Sequence, residues 1–152
     1  MAIQVGDRAP NIKTSEFSLA SLKGQRVVVF FFPKADTPGC TKEACEFRDS
    51  SKTFAKKNAA IIGISPDQPA AHAKFAAKYD LPYTLVADPG HAIAEAYGVW
   101  KEKSMYGRKY MGIERTTFVI DAQGKIAHIF PKVKPVGHAA QVLEALAAAP
   151  PR

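Results

Sequence analysis

Val27-Val28-Val29-Phe30-Phe31-Phe32 runs into Pro33-Lys34-Ala35-Asp36 and then into Thr37-Pro38-Gly39-Cys40-Thr41. The first six residues are all β-branched or aromatic, with no polar position among them. That pattern reads as a strand buried on both faces, and so as a central strand in a sheet covered by helices. The segment after it starts a helix: Thr37 suits an N-cap and Pro38 the first helical position, which makes Cys40 the third residue of the first turn. A buried strand delivering a cysteine to a helix start decides both the fold and the chemistry.

Working outward, Ala60-Ile61-Ile62-Gly63-Ile64 repeats the buried-strand pattern, and residues 84–86, 116–120 and 126–130 supply further strands. The last two flank Asp121-Ala122-Gln123-Gly124, a turn of hairpin length and composition. Between the strands the sequence predicts a helix from about Pro38 to Lys57 and a second starting near Pro69, with Phe75 and Tyr79 one turn apart. Asp88-Pro89 reads as an N-cap and first-turn proline opening a short helix with Ile93 and Tyr97. A final helix follows Gly137, with Ala139, Val142, Leu143 and Leu146 along one side. Residues 101–112, rich in Lys, Gly and Tyr, read as a connecting loop. The alternation of strands and helices, closed by a hairpin and a helix, predicts an α/β layered sheet. One domain over residues 1–152 is expected, with the Ala- and Pro-rich tail 147–152 flexible.

The 152 residues are 47% apolar and 10% aromatic, enough to build a core and to exclude wholesale disorder. The start shows no secretory signal pattern, and the longest apolar run falls far short of the ~20 residues that span a bilayer. A soluble protein of a reducing compartment, the cytoplasm, is the expectation. The formal charge of +7 raises nucleic acid as a partner, but the basic residues are spread along the chain. Their densest stretch, Lys101 to Lys109, lacks any zinc-finger, helix-turn-helix or RNA-recognition pattern. Neither nucleic acid nor membrane is expected as a partner.

Only two cysteines are present, Cys40 and Cys45, too few for a disulfide scaffold. At the third helical position Cys40 sits among the free N–H groups and the positive end of the helix dipole, which favour a thiolate. The Thr37 hydroxyl, as an N-cap, is expected to point back toward it. Five residues along an ideal helix separate two Cα atoms by about 8.6 Å, beyond the ~7 Å reach of a disulfide. The two thiols therefore either never pair or pair only after the first turns unwind. The four histidines, His72, His91, His128 and His138, have no paired metal-ligand spacing, so no metal is expected; His138, at a helix start, could stand near a site. A Cys-x-x-Cys oxidoreductase is the nearest rival, and the spacing of these cysteines counts against it. Arg115 suits either of two roles, an ordinary surface residue beside a strand or a charged partner for the thiolate.

Pro33-x3-Thr37-x2-Cys40 resembles the active-site pattern of peroxiredoxins, and the longer run from Phe32 to Asp49 is similar to the peroxiredoxin Q branch, also called bacterioferritin comigratory protein. The resemblance extends through Gly6-Asp7-x-Ala9-Pro10, Gly98-Val99-Trp100, Met105-Tyr106-Gly107 and Gly112-Ile113-x-Arg115-x-Thr117 to Asp121. Ala35 stands where relatives often carry a polar or acidic residue. The resemblance implies a thioredoxin-like fold, a central mixed sheet flanked by helices, and thiol-dependent reduction of hydrogen peroxide and organic hydroperoxides without a cofactor. It implies that Cys40 is the peroxidatic cysteine and Cys45 the resolving one, supported by Thr37, Pro33 and Arg115, with thioredoxin or sometimes glutaredoxin as electron donor. It also implies a monomer, with dimerisation through apolar residues near a strand edge left open.

Overall fold

The computed structural model describes residues 3–14 and 17–147. Strand β1 (Arg26–Phe31) lies in the middle of a five-stranded sheet of order β3-β2-β1-β6-β7, with β2 Ala59–Ser65, β3 Thr84–Ala87, β6 Thr116–Ile120 and β7 Ile126–Phe130. β1 runs parallel to β2, and β2 parallel to β3; β6 is antiparallel to β1, and β7 to β6. The sheet is therefore mixed, as expected.

The alternation of β1 builds two cores. Val27, Val29 and Phe31 face one side with Ile62, Ile64, Phe118 and Tyr97, while Val28, Phe30 and Phe32 face the other with Phe47, Phe54, Phe75 and Val142. The first core is covered by helix α4 (Ala92–Ala96); the second is covered by α1 (Pro38–Asp49), α2 (Ser51–Lys56), α3 (Pro69–Tyr79) and α5 (His138–Ala147). A strand buried on both faces must have apolar side chains pointing both ways, which is why its sequence shows no alternation. Gly63 of β2 is required by this packing, since a Cβ there would come within 2.8 Å of both Leu85 and Phe30.

Three expectations are corrected. The helix read as continuous to Lys57 breaks at Ser50, where ψ reaches 3° and α2 begins anew. Asp49-Ser50-Ser51 is a run of short polar side chains that compete with the helix backbone, so the break falls there. The short helix after Asp88-Pro89 starts later, at Ala92, behind His91 in the left-handed region. Asp88 still caps it from a distance, its carboxylate accepting the N–H groups of Ile93 (3.1 Å) and Ala94 (2.9 Å).

Residues 101–112 are not a loop. They form most of a hairpin of β4 (Trp100–Met105) and β5 (Arg108–Ile113), turned by Tyr106-Gly107 with φ of 54° and 77°. Both turn residues have positive φ, as a two-residue turn of type I′ requires. Polar residues occupy both faces of this ribbon, so neither strand shows the alternation that marks a half-buried strand. Trp100 at its base is half-buried and stacks on His91, ring centroids 4.0 Å apart. The tail lies outside the described residues beyond Ala147. No helix among the described residues is long and apolar enough to cross a membrane.

Candidate active site

The site forms where β1 hands the chain to α1. Phe32 continues the sheet, its N–H bonded to Ile64 O at 3.0 Å, and Pro33 follows, half-buried. The segment then turns sharply, with Asp36 in the left-handed region at φ 60°, before Thr37 takes up extended backbone (φ −98°, ψ 157°) and α1 begins at Pro38. Thr37 is the N-cap and Cys40 the third helical residue, as the sequence predicts. The Thr37 hydroxyl behaves otherwise: it donates to Lys34 O at 2.8 Å and makes no cap hydrogen bond. It closes the loop before the helix by an i to i−3 bond, a common alternative for threonine, and leaves the first-turn N–H groups free of it.

Cys40 is 1% exposed. The guanidinium of Arg115 reaches it from the link between β5 and β6: Nη2 donates to Cys40 Sγ at 3.3 Å and Nη1 to Glu43 Oε1 at 2.8 Å. One planar fork thus binds a sulfur and a carboxylate three residues apart on one helical face, which a lysine could not do. Arg115 is seated by its own backbone, whose carbonyl accepts Val133 N–H at 2.8 Å. Gly39 makes room for it, because a Cβ at that position would lie 3.3 Å from Nη2 and 3.5 Å from Pro135 Cγ. Burial works against the charge of Arg115, yet attraction to Cys40 and Glu43 outweighs it and raises its pKa further. Of the two roles the sequence left open, the second is the one that this half-buried position and its bond to Cys40 Sγ would suit.

Glu43 is the residue the sequence reading missed. It is fully buried, and its second oxygen, Oε2, has no hydrogen-bond partner. A glutamate in the first turns of a helix reads as an exposed complement to the dipole. The available signal was its spacing, three residues after Cys40. Burial pushes the Glu43 carboxyl up to about 7, against the pull of Arg115 and with a small push from Glu46.

That value makes a prediction. The folded protein holds the Glu43 proton more tightly than the unfolded chain, whose carboxyl titrates near 4.5. The stability linked to it is fully present below about pH 4.5 and is lost as pH rises through about 7. Between those limits the Tm of the wild type is expected to fall relative to that of Glu43→Gln, which cannot titrate. Parallel Tm curves for the two proteins would refute this.

Cys45 lies in the same unbroken helix, half-buried, and both thiols are free. Just before it, Tyr83 O–H donates to Ala44 O at 2.7 Å, and just after it Glu46 Oε1 accepts Gly137 N–H at 2.9 Å. The middle of α1 is thus tied to two other segments, while Arg115 holds its first turn through Cys40 and Glu43. Lys103 of the hairpin is half-buried beside the site. Burial and then repulsion from Arg115 push its ammonium down, with Cys40 and Glu114 acting the other way. His138 is a core residue, bonded to Thr117 Oγ1 at 2.8 Å and Gln141 Oε1 at 2.9 Å.

The sheet order, the helices on both faces and a buried cysteine at the first helix start define a thioredoxin-like peroxiredoxin. Solved structures agree over nearly the whole chain. Xanthomonas campestris peroxiredoxin Q matches with a TM-score of 0.84 at 36% identity, covering 95% of this chain and 94% of that one. A structure from a study of the alkyl peroxide reduction activity of the Xanthomonas campestris bacterioferritin comigratory protein matches with a TM-score of 0.86 at 35% identity, covering 98% of each chain. Bacillus subtilis peroxiredoxin Bcp is 45% identical over 151 residues, 96% of each protein. The AhpC/TSA family pattern matches residues 5–129, and the chain belongs to that family, in its peroxiredoxin Q or Bcp branch. The family activity is that of a thiol-dependent peroxidase, acting on a peroxide with a thiol reductant.

Proposed function

We propose that Cys40 is the peroxidatic thiol and Cys45 the resolving thiol of an antioxidant enzyme that reduces hydrogen peroxide and organic hydroperoxides. The observation that carries this reading is the 3.3 Å bond from Arg115 Nη2 to Cys40 Sγ in a buried setting. A guanidinium there pairs with the sulfur and stands ready for the charge that develops on the leaving oxygen. The Cys40 thiolate attacks the terminal peroxide oxygen; a sulfur–oxygen bond forms, the O–O bond breaks, and the alkoxide or hydroxide leaves and takes up a proton. Cys40 becomes a sulfenic acid. Pro33 shields the sulfur from bulk water, and Thr37 shapes the approach through the loop that its hydroxyl closes.

In the second step the first turns of α1 unwind, the Cys45 thiol condenses with the sulfenic acid, and water is released as the Cys40–Cys45 disulfide forms. Unwinding is needed because the intact helix keeps the pair about 8.6 Å apart. A dithiol protein, thioredoxin or glutaredoxin, then returns both thiols by exchange. The alkyl peroxide reduction studied in the Xanthomonas campestris protein supports organic hydroperoxides as substrates. The chain works as one cytoplasmic domain and as a monomer.

Mass spectrometry after one equivalent of peroxide tests the cycle. The expected result is a loss of about 2 Da with a peptide crosslink between Cys40 and Cys45. A stable gain of one oxygen on Cys40 with Cys45 still free would reject Cys45 as the resolving thiol.

A further inference from the structure

A buried polar chain lies behind the catalytic loop, outside the site described above. At the end of β2, Ser65 Oγ donates to Asp67 Oδ2 at 2.6 Å and is itself hydrogen-bonded to His72 Nε2 of α3. The same Asp67 oxygen accepts the backbone N–H of Ala35 at 2.8 Å. Ser65 and His72 are 0% and 4% exposed, and no hydrogen bond joins them to Cys40 or Arg115 among the described residues. His72 Nδ1 is buried without a partner.

The donors can be ordered in one way. The Ser65 proton goes to Asp67, so His72 must donate from Nε2 to Ser65 Oγ, and its Nδ1 is left as a bare lone pair. Burial pushes the His72 pKa down despite the pull of Asp67, which agrees with a neutral ring. The chain therefore runs from His72 through Ser65 to Asp67, and ends on the amide of Ala35. A hydrogen-bonded polar group of this kind rigidifies what it holds, and beyond its own loop the backbone that this one meets, among the described residues, is Ala35 in the segment that delivers Cys40. A second tie acts on the next residue: Asp36, at φ 60°, takes Tyr79 O–H at 2.9 Å and Lys78 Nζ at 3.0 Å from α3.

We propose that Asp67, backed by Ser65 and His72, is a positioning residue that fixes Ala35 as the stationary end of the segment whose far end unwinds. This rests on the reading of Cys40 as the peroxidatic thiol. With Ala35 fixed, the first turn of α1 refolds into the same register after each cycle, and the sulfur returns beside Arg115. Releasing Ala35 makes the folded, peroxide-reactive arrangement rarer without hindering the unwound one. The two chemical steps therefore respond differently.

Asp67→Ala, compared at equal folded content by near-ultraviolet circular dichroism, is expected to slow oxidation of Cys40 by hydrogen peroxide about tenfold. The later disulfide-forming step is expected to keep its wild-type rate or exceed it. Asp67→Asn, which keeps an acceptor oxygen for Ala35 N–H, is expected to restore most of the first step. A wild-type peroxide rate in Asp67→Ala, or equal slowing of both steps, overturns the proposal.

Amide hydrogen exchange on the wild-type protein provides a test that needs no variant. In the reduced protein the Ala35 amide is expected to exchange on the order of a hundredfold more slowly than in a free chain. After peroxide it keeps that protection while amides 41–45 lose theirs. An unprotected Ala35 amide, or one that opens together with 41–45, overturns the positioning role. Failure of peroxide to link Cys40 to Cys45 would instead count against the proposed reaction, and Ala35 protection in the reduced protein would still decide on Asp67.

Discussion

Cys40→Ser is expected to abolish peroxide turnover, lowering it by on the order of 10³-fold or more, while leaving the fold intact. Serine fills nearly the same space, but its hydroxyl does not ionise near neutral pH and is a far weaker nucleophile. The Arg115 fork keeps its 2.8 Å bond to Glu43 in this variant, so the guanidinium stays seated and the loss is chemical. The measurement is peroxide consumption with a dithiol donor, beside a Tm within a few degrees of the wild type. Cys45→Ser gives the contrast: Cys40 still reacts, but its sulfenic acid persists and climbs to the sulfinic state under repeated peroxide. Full peroxidase turnover by Cys40→Ser would defeat the proposed mechanism.

Arg115→Met is the second large effect, and it separates catalysis from stability. Removing a preorganised donor aimed at developing charge slows a reaction by about 10²–10³, so oxidation of Cys40 should fall by that order. Breaking a buried ion pair also destabilises by roughly 3–5 kcal/mol when the remaining charge has no relief. Glu43 does have relief, because its pKa already stands at about 7 and Arg115 is among the forces holding it down. Without Arg115 the carboxyl titrates higher still and stays neutral through acidic pH. The Tm deficit of Arg115→Met should therefore be small at about pH 6 and grow by about pH 8, as the pH is raised toward the new value. An equal deficit at both pH values would show that Glu43 does not relieve the broken pair. Arg115→Lys keeps the charge without the fork, and its rate should fall between the two.

The residues that were legible in the sequence are those whose local chemistry admits few alternatives. β1 could be placed from its unbroken apolar run, and Thr37-Pro38 set the helix start that gives Cys40 its position. What stayed hidden depended on tertiary structure. The β4–β5 ribbon is polar on both faces, so it carries no periodic signal, and Tyr106-Gly107 is a turn pair that composition alone does not mark. Glu43 reads as an exposed acid until α1 is packed against the sheet and Arg115 is brought to it from 72 residues away. The Thr37 hydroxyl was misplaced because a local carbonyl, Lys34 O, competes with the cap. Asp67 lies outside every motif, and its role depends on a 2.8 Å contact with a backbone amide of another loop.

The hairpin that sequence reading took for a loop also changes what the +7 charge means. Lys101, Lys103, Arg108 and Lys109 stand on it against the single acid Glu102, and it leads directly into Arg115. Two of these cations are paired, Lys101 Nζ with Glu114 at 3.2 Å and Lys109 Nζ with Glu102 at 3.8 Å, while Lys103 is the one whose ammonium feels both Cys40 and Arg115. At an ionic strength near 0.15 M the field of such charges fades over about 8 Å, whereas at 0.01 M it reaches about 30 Å. Hydrogen peroxide and other neutral hydroperoxides feel no such pull, so their rates with Cys40 are expected to stay level between dilute and salted buffer, while a hydroperoxide that carries a carboxylate reacts faster in the dilute one.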